Sequence, residues 1–98
     1  MKITENIIVV TDSKTYENCS GFKFFYEKGI ANKLCFSYNK GEIGVTINPK
    51  EIKDCYDKDT EINFTAFLTS SFKMPECTEV MEINQDIFKN MIKREVLK

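Results

Sequence analysis

Residues 21–48 alternate apolar and polar positions with a period of two in three short segments, which is typical of half-buried β-strands. The apolar positions that share one face are Phe22, Phe24 and Tyr26, then Leu34, Phe36 and Tyr38, and finally Ile43, Val45 and Ile47. Gly29 and Gly41 lie between the segments, and glycine supplies the positive φ that a tight hairpin turn needs. The pattern predicts a three-stranded antiparallel β-meander over 21–48, at the centre of the fold.

The turn positions also predict how these strands are paired. If residues 40–41 form the second turn, Phe36 lies opposite Val45. A five-residue loop over 28–32 then sets Phe24 beside Phe36. A slip of one residue would turn every inward side chain towards water, so we expect the register to be well specified.

The N-terminal part of the chain divides into an apolar run and a polar stretch. The β-branched run Ile7–Val10 predicts a strand within residues 3–10 that is buried on both faces. Residues 11–20, TDSKTYENCS, are mostly polar and are predicted to form a loop.

After the meander, the pattern predicts a connection and two more strands. Pro49 ends the third strand, because proline lacks the N–H group that a β-ladder requires. Residues 50–61 are predicted to be a short helix or an irregular loop. Residues 62–69 alternate as a strand does, and residues 79–83 are predicted to be a short strand.

The C-terminal residues carry the signals of an amphipathic helix over 84–97. Asn84 is a suitable N-cap, and Asp86 places negative charge in the first turn. The apolar stripe of this helix consists of Ile87, Phe88, Met91 and Ile92. We expect the stripe to be buried against the sheet.

Together these elements predict an α+β fold, with a mainly antiparallel, curved sheet of five or six strands and one C-terminal helix. A small open β-barrel of the OB type is the alternative, since a three-strand meander, a short link and further strands fit its plan. At 98 residues the chain is predicted to be a single domain, residues 1–98.

Composition restricts the expected partners and location. The net charge is −1, so no overall field attracts nucleic acid or an anionic membrane. No apolar run approaches the ~20 residues of a membrane span, and the apolar run near the start is too short for a signal peptide. The four isolated cysteines are predicted to be reduced thiols. We therefore expect a cytoplasmic protein, in the host cytoplasm if it is phage-encoded, that does not act on membranes.

The sequence lacks the residues of several catalytic chemistries. There is no histidine, which excludes histidine-based nucleophile pairs, metal sites and acid–base catalysis. The glycine-rich motifs that bind nucleotide phosphates are also missing. Carboxylate pairs such as Asp57 with Asp59 are more typical of a solvated surface than of an acid–base couple or a calcium loop. The sequence therefore predicts no enzymatic activity, no cofactor and no metal site.

Two phenylalanines interrupt strand faces that are otherwise polar. Phe25 follows Lys23 on one predicted strand, and Phe67 lies between threonines on another. Such a ring is covered by a second small core, anchors a partner, or stacks on a nucleic-acid base beside lysines such as Lys23 and Lys33. The candidate partner-binding residues are therefore Phe25, Phe67, Lys23 and Lys33.

These observations lead to three hypotheses for function. The first is a small non-enzymatic protein-binding module, such as a phage or mobile-element inhibitor or adaptor that acts on a host protein. The second is a single-strand nucleic-acid-binding β-sheet or OB-like domain, against which the charge balance argues. The third is a small-ligand-binding domain that uses the aromatic interior. Fold alone does not distinguish them.

Overall fold

The computed structural model describes residues 6–96, which form an open, six-stranded antiparallel sheet with a C-terminal helix. In chain order the elements are β1 (Ile7–Thr11), β2 (Thr15–Glu27), β3 (Ile30–Tyr38), β4 (Ile43–Ile47), a 3-10 helix (Pro49–Glu51), β5 (Ile52–Asp57), α1 (Thr65–Ser70), β6 (Val80–Ile83) and α2 (Gln85–Val96). The predicted α+β fold is confirmed, and the sheet does not close into the OB-type barrel. Residues 3–5 of the first predicted strand and residue 97 of the predicted helix lie outside the described range.

Strand β2 is the centre of the sheet because it has neighbours along both edges. β3 pairs with one edge of β2, and β4 pairs with β3 beyond it. β1 and β6 follow one another along the other edge, where β1 pairs with residues 15–19 and β6 with residues 22–25. β5 continues the sheet beyond β1, which gives the order β4-β3-β2-β1-β5 with β6 beside the second half of β2.

The prediction of a polar loop over residues 11–20 is wrong, because β2 begins within it. Tyr16 and Cys19 are both buried in the core, three residues apart in the sequence, so the period of two is broken. The break is a β-bulge at Asn18, whose φ of 52° is positive. Asn6 Oδ1 accepts hydrogen bonds from the backbone N–H of Asn18 at 3.2 Å and from its side-chain amide at 2.9 Å. A bulge of this kind conceals a strand from a search for alternation.

The meander over 21–48 is present, but the register between its first two strands differs from the prediction. The predicted β3–β4 register is confirmed. Between β2 and β3, however, the turn is the two-residue segment 28–29, and Phe24 lies opposite Leu34 instead of Phe36. Both turn residues have positive φ, 51° and 77°, as a type I′ turn requires. This turn closes the hairpin within two residues, which shifts the pairing.

β1 is buried on both faces, as its β-branched run predicts. Ile7 and Val9 belong to the core, and Ile8 is 1% exposed on the opposite face. β1 lies between β2 and β5, so both of its edges are paired.

The prediction of a helix or loop over residues 50–61 is also wrong, because β5 occupies its middle and pairs with β1. Cys55 and Asp57 are the buried positions of this strand. The Asp57 carboxylate accepts hydrogen bonds from the Asn6 N–H at 2.7 Å and from the N–H and hydroxyl of Thr60 at 3.0 and 2.8 Å. A buried carboxylate needs such partners. Asp57 therefore serves the fold, and its polar character masked the strand.

The predicted strand over residues 62–69 is wrong, because residues 65–69 belong to α1 and Asn63 makes only an isolated β-bridge, to Tyr56. Phe64 and Leu68 are fully buried and four residues apart, so they lie on one face of a helix. Asn63 Oδ1 accepts a hydrogen bond from the Thr65 N–H at 2.9 Å at the start of the helix. Positions four residues apart share a face in a strand as well, and so this short apolar pattern did not distinguish the two structures.

The predicted C-terminal helix is confirmed, with a smaller apolar stripe than the sequence suggests. Asn84 Oδ1 accepts a hydrogen bond from the Asp86 N–H at 2.8 Å, which caps the helix. Phe88 and Ile92 are fully buried, whereas Ile87 is 38% exposed. The buried stripe therefore excludes Ile87.

Phe88 joins α2 to the rest of the core. Its ring centroid lies 5.2 Å from that of Phe22 on β2, 5.0 Å from that of Phe64 and 6.1 Å from that of Phe67 on α1. Aromatic pairs of this kind each add about 0.5–1.5 kcal/mol beyond the area that they bury. One side chain thus holds α2 against both the sheet and α1.

Cys19 and Cys55 are buried thiols on opposite sides of β1. Cys19 lies opposite Ile7 on β2, and Cys55 lies opposite Val9 on β5. Two strand spacings, about 9–10 Å, therefore separate their backbones, which exceeds the ~7 Å limit for a disulfide. Burial raises the pKa of the Cys19 thiol to about 12 and also raises the pKa of the Cys55 thiol. These two thiols fill the core in their neutral form.

We predict that Phe88→Ala lowers the free energy of unfolding by about 3–5 kcal/mol, because it leaves a cavity where α2 meets the sheet. Ile87→Ala, at the adjacent and exposed position, should change the free energy of unfolding by about 1 kcal/mol or less. Urea denaturation followed by circular dichroism measures both. Equal losses for the two variants would show that α2 does not pack as described.

We predict that alkylation of the native protein at about pH 8 modifies Cys77 and Cys35 but spares Cys19 and Cys55, which are buried and neutral. Denaturation without reductant should expose all four thiols. Intact-mass spectrometry counts the adducts in both states. Modification of the two buried thiols in the native protein would mean that the sheet opens around β1.

Candidate partner-binding face

Three of the four candidate residues lie together on one face of the sheet. Lys23 and Phe25 are on β2, and Lys33 lies directly opposite Phe25 on β3. The alternating positions Phe22 and Phe24 are buried in the core on the side of the helices. The three candidates therefore point away from the helices.

β6 and β4 complete this face on either side. Val80 of β6 lies opposite Phe25, and Glu82 of β6 lies opposite Lys23. On the other side, Cys35 of β3 lies between Lys23 and Thr46 of β4. We call this surface the outer face, and its side chains around Phe25 are Lys23, Lys33, Cys35, Thr46, Val80 and Glu82.

Phe25 is the exception among the phenylalanines of this protein. The chain has eight, of which five are buried in the core (Phe22, Phe24, Phe36, Phe64 and Phe88) and two, Phe67 and Phe72, pack against it. Phe25 belongs to neither group and is half-buried on the outer face. A large apolar ring that the fold does not use for its core is a candidate for contact with another molecule.

Two exposed apolar side chains that the sequence analysis did not single out lie near Phe25. Val80, directly opposite Phe25, is 46% exposed, and Ile30 at the start of β3 is 53% exposed. Ile30 alternates with the buried Ala31, so it is on the outer side of the sheet. The sequence predicted a strand around Val80 but carried no signal for its partner strand.

A shallow depression crosses the outer face beside Phe25. Gly21, Ser37 and Gly44 contribute to its lining, and the two glycines keep this region low because they have no side chains. A Cβ atom added to Gly44 would meet no heavy atom within 4 Å, so the space above this strand is open. Such a depression is too open to enclose most of the surface of a small molecule.

Charges on the outer face are nearly balanced. The Nζ atom of Lys23 lies 2.9 Å from Oε1 of Glu82, and both side chains are well exposed. An exposed pair of this kind contributes less than about 1 kcal/mol. Lys33 is exposed on β3, and Glu27 is exposed at the end of β2. The face therefore has no excess of positive charge with which to neutralise phosphates.

Phe67 lies away from the other three candidates. It is in α1 and not on a strand, and its ring packs edge-on against Phe88 with centroids 6.1 Å apart. It is half-buried against the core. Phe67 is therefore covered by the protein's own core, which is one of the three explanations considered for the two unusual rings. Phe25 is not covered in this way, and one side of its ring stays exposed.

The polar cluster around Asp54 has a structural role. Asp54 accepts hydrogen bonds from the Asn63 amide at 2.7 Å, from the Thr65 hydroxyl at 2.9 Å and from the Cys55 N–H at 3.0 Å. The Asn63 hydrogen bond is the main reason that the pKa of Asp54 is lowered, and the Thr65 and Cys55 hydrogen bonds act in the same direction. This cluster ties α1 to β5. Within residues 6–96, no group of three or more Cys, Asp or Glu residues is placed to hold a metal ion.

Within the part of the chain that the structure describes, no helix combines the length and apolar character needed to cross a membrane. Comparisons with protein-family models, with curated proteins and with solved structures find no match to this chain.

We predict that Phe67→Ala lowers the free energy of unfolding by about 1.5–3 kcal/mol, because Phe67 loses its contact with Phe88 and part of its buried area. Phe25→Ala should lower it by about 1 kcal/mol or less, since it opens no cavity in the core. Thermal and urea denaturation of the two variants measure the difference. A larger loss for Phe25→Ala would show that the outer face is covered within the folded chain.

Proposed function

We propose that this protein is a small non-enzymatic protein-binding module whose outer face contacts its partner, with Phe25 as the anchor. The observation that carries the proposal is that Phe25 alone among eight phenylalanines is left out of the core. Val80 lies beside it and is 46% exposed, so the anchor is part of an apolar patch. Aromatic residues in such patches often dominate the free energy of protein–protein binding.

The surroundings of the patch support a protein partner over nucleic acid. Lys23 is paired with Glu82, and the exposed Lys33 is balanced in charge by the exposed Glu27 at the end of β2. Single-strand nucleic-acid binding combines a positively charged groove with several stacking rings. On β2, β3 and β4, Phe25 is the one outward aromatic side chain. The outer face offers neither a charged groove nor a row of rings.

The same geometry argues against a small-molecule site on this face. Sites for small molecules usually enclose most of the ligand surface in a cleft. The depression beside Phe25 is shallow and open over Gly44. A polar rim around an apolar centre, as formed by Lys23, Lys33 and Glu82 around the patch, is the usual anatomy of a protein–protein interface.

We place the protein in a reducing compartment such as the cytoplasm, where the free thiols of Cys35 and Cys77 would persist. A phage or mobile-element inhibitor or adaptor acting on a host protein is one form that this proposal takes. The identity of the partner protein would distinguish such an inhibitor from an adaptor that serves the cell's own proteins.

The test begins with photo-crosslinking from the outer face in the cells that produce the protein. We would replace Phe25 by p-benzoylphenylalanine and, as a matched control, make the same replacement at Ile87, which is exposed on α2. The expected result is a defined protein adduct from position 25 that is absent from position 87. Mass spectrometry of the adduct names the partner.

The captured partner then allows a quantitative test with unlabelled variants. Phe25→Ala should weaken binding by about 2 kcal/mol or more, which is roughly 30-fold in Kd. Ile87→Ala should change Kd less than about twofold. Isothermal titration calorimetry measures both. Unchanged binding by Phe25→Ala, or binding of a single-stranded oligonucleotide much tighter than about 100 μM at physiological salt, would contradict the proposal.

A further inference from the structure

β4 forms an edge of the sheet that the structure leaves open. Among the described strands, β4 pairs with β3 alone. An antiparallel ladder alternates, so every second residue of β4 directs its N–H and C=O groups away from β3. No residue of β4 makes a backbone hydrogen bond to any described segment outside the β3–β4 ladder. This edge is therefore able to pair with another strand.

Apart from its length of five residues, β4 lacks the features that normally protect an edge. Natural edge strands are usually short, charged, interrupted by proline or bent by a bulge. The sequence of β4 is IGVTI, which has no charge and no proline, and its register with β3 is continuous. The described edges on the other side of the sheet are protected. Ile62 covers β5 by accepting a hydrogen bond from the Asp57 N–H at 2.8 Å, and β6 has only four residues and carries Glu82.

The side chains of β4 favour an apolar neighbour on the inner face. Ile43, Val45 and Ile47 point to the side of the core, yet burial falls along the strand from Ile47, 8% exposed, to Ile43, 44% exposed. An apolar row that ends at an open edge leaves apolar area in water. A strand added beside β4 would cover that area as well as pair the free backbone groups.

We propose that β4 pairs with β4 of a second copy of this chain, antiparallel and about a two-fold axis at Val45. This axis sets Ile43 opposite Ile47 of the second copy and Val45 opposite its own equivalent. Gly44 then lies opposite Thr46, so no charge enters the strand pair. About this axis, odd-numbered residues of β4 lie opposite odd-numbered residues of the second copy, and even-numbered residues lie opposite even-numbered ones. The residues whose N–H and C=O groups point away from β3 therefore face one another across the pair.

The residues that flank β4 support a second copy in this orientation. Glu42 precedes the strand, Lys50 follows it, and both are exposed. Antiparallel pairing brings the end of each copy that carries Lys40 and Glu42 towards the Lys50 end of the other, so both signs of charge meet there. Parallel pairing would instead place Glu42 beside Glu42 and Lys50 beside Lys50. The strand pair is limited to β4, because Pro49 starts a 3-10 helix and Lys73 pairs with Ile30 farther along the β3 edge.

This pairing would join the two sheets through their β4 edges into one continuous sheet. The outer faces of the two copies would then adjoin, since Gly44 and Thr46 of β4 border the depression beside Phe25. Pairing through β4 does not require Phe25, so it is independent of the proposed function.

The first experiment measures self-association of the whole protein by sedimentation velocity from about 10 μM to about 1 mM. The wild-type protein should shift towards the dimer mass as concentration rises. Ile43→Lys should raise the dimer Kd by about tenfold or more, because a lysine on an edge strand opposes pairing. The matched control Ile87→Lys, at an exposed isoleucine of α2, should behave as the wild type does. A wild-type monomer throughout this range, or a dimer that Ile43→Lys leaves intact, would overturn the proposal.

The second experiment tests the position of the axis by disulfide formation. In a background with Cys35→Ser and Cys77→Ser, Val45→Cys should cross-link two copies on mild oxidation, because directly opposed residues lie about 4.5–5.5 Å apart between Cα atoms. Ile43→Cys is the control, since its equivalent in the second copy is four residues farther along the pair. Ile43 is more exposed than Val45, so random collision would cross-link Ile43→Cys faster. Preferential cross-linking of Val45→Cys supports the axis, and the reverse order contradicts it.

The third experiment uses the flanking charges. Glu42→Lys should weaken the dimer by placing like charges at both ends of the strand pair, and Glu42→Lys combined with Lys50→Glu should restore it. Restoration by the double variant supports antiparallel pairing. Equal weakening by the single and double variants would show that these ends do not meet.

Discussion

The pairing of β2 along both of its edges is the constraint on which the rest of the structure depends. This strand of 13 residues has β3 on one side and two shorter strands, β1 and β6, end to end on the other. Between the parts of β2 that pair with β1 and β6 lies Gly21, with a φ of 67°, and the register with β3 shifts between Ser20 and Lys23. A glycine and an irregularity at this point let the strand bend without losing its neighbours. Both halves of β2 can then face one core.

The position of α2 follows from that arrangement. β6 pairs with the second half of β2, and α2 begins two residues after Ile83, the last residue of β6. This short connection places the helix on the inner face of the sheet. Phe88 then contacts Phe22 on β2 and Phe64 beside α1. Because all of these rings lie on the inner side, the core is one-sided around the meander. Consecutive residues of a strand point to opposite faces, so Phe24 is buried and Phe25 is left on the outer face.

The open surfaces of the protein are consequences of the same one-sided packing. The helix α1 and the segment before it close the sheet at β5, where Phe64 donates its N–H to the Cys55 carbonyl at 2.7 Å. Nothing in the described chain does the same for β4. The outer face and the β4 edge adjoin each other, and a contact that used one would lie beside the other. Phe25 and Val80 on the outer face and Ile43 at the β4 edge thus leave apolar area exposed in the part of the sheet that runs from β6 to β4.

The sequence by itself determined those features that depend on neighbouring residues. Alternation over 21–48 was sufficient to identify the meander, since side-chain direction in a strand is a local property. The cap at Asn84 and the spacing of Phe88 and Ile92 were sufficient to identify α2 for the same reason. The unusual position of Phe25 was also visible, because it follows directly from that alternation.

The tertiary structure decided the features that depend on distant residues. Asp57 can be buried in β5 because its carboxylate accepts a hydrogen bond from Asn6, 51 residues away. The bulge at Asn18 is held by the side chain of the same Asn6. The alternation of residues 15–20 alone does not predict a strand, because it does not show this distant partner. Val80 becomes part of the outer face only because β6 pairs with β2. Local patterns determine which way a side chain points. Which strand lies beside it depends on burial and hydrogen bonds that residues far apart in the sequence contribute.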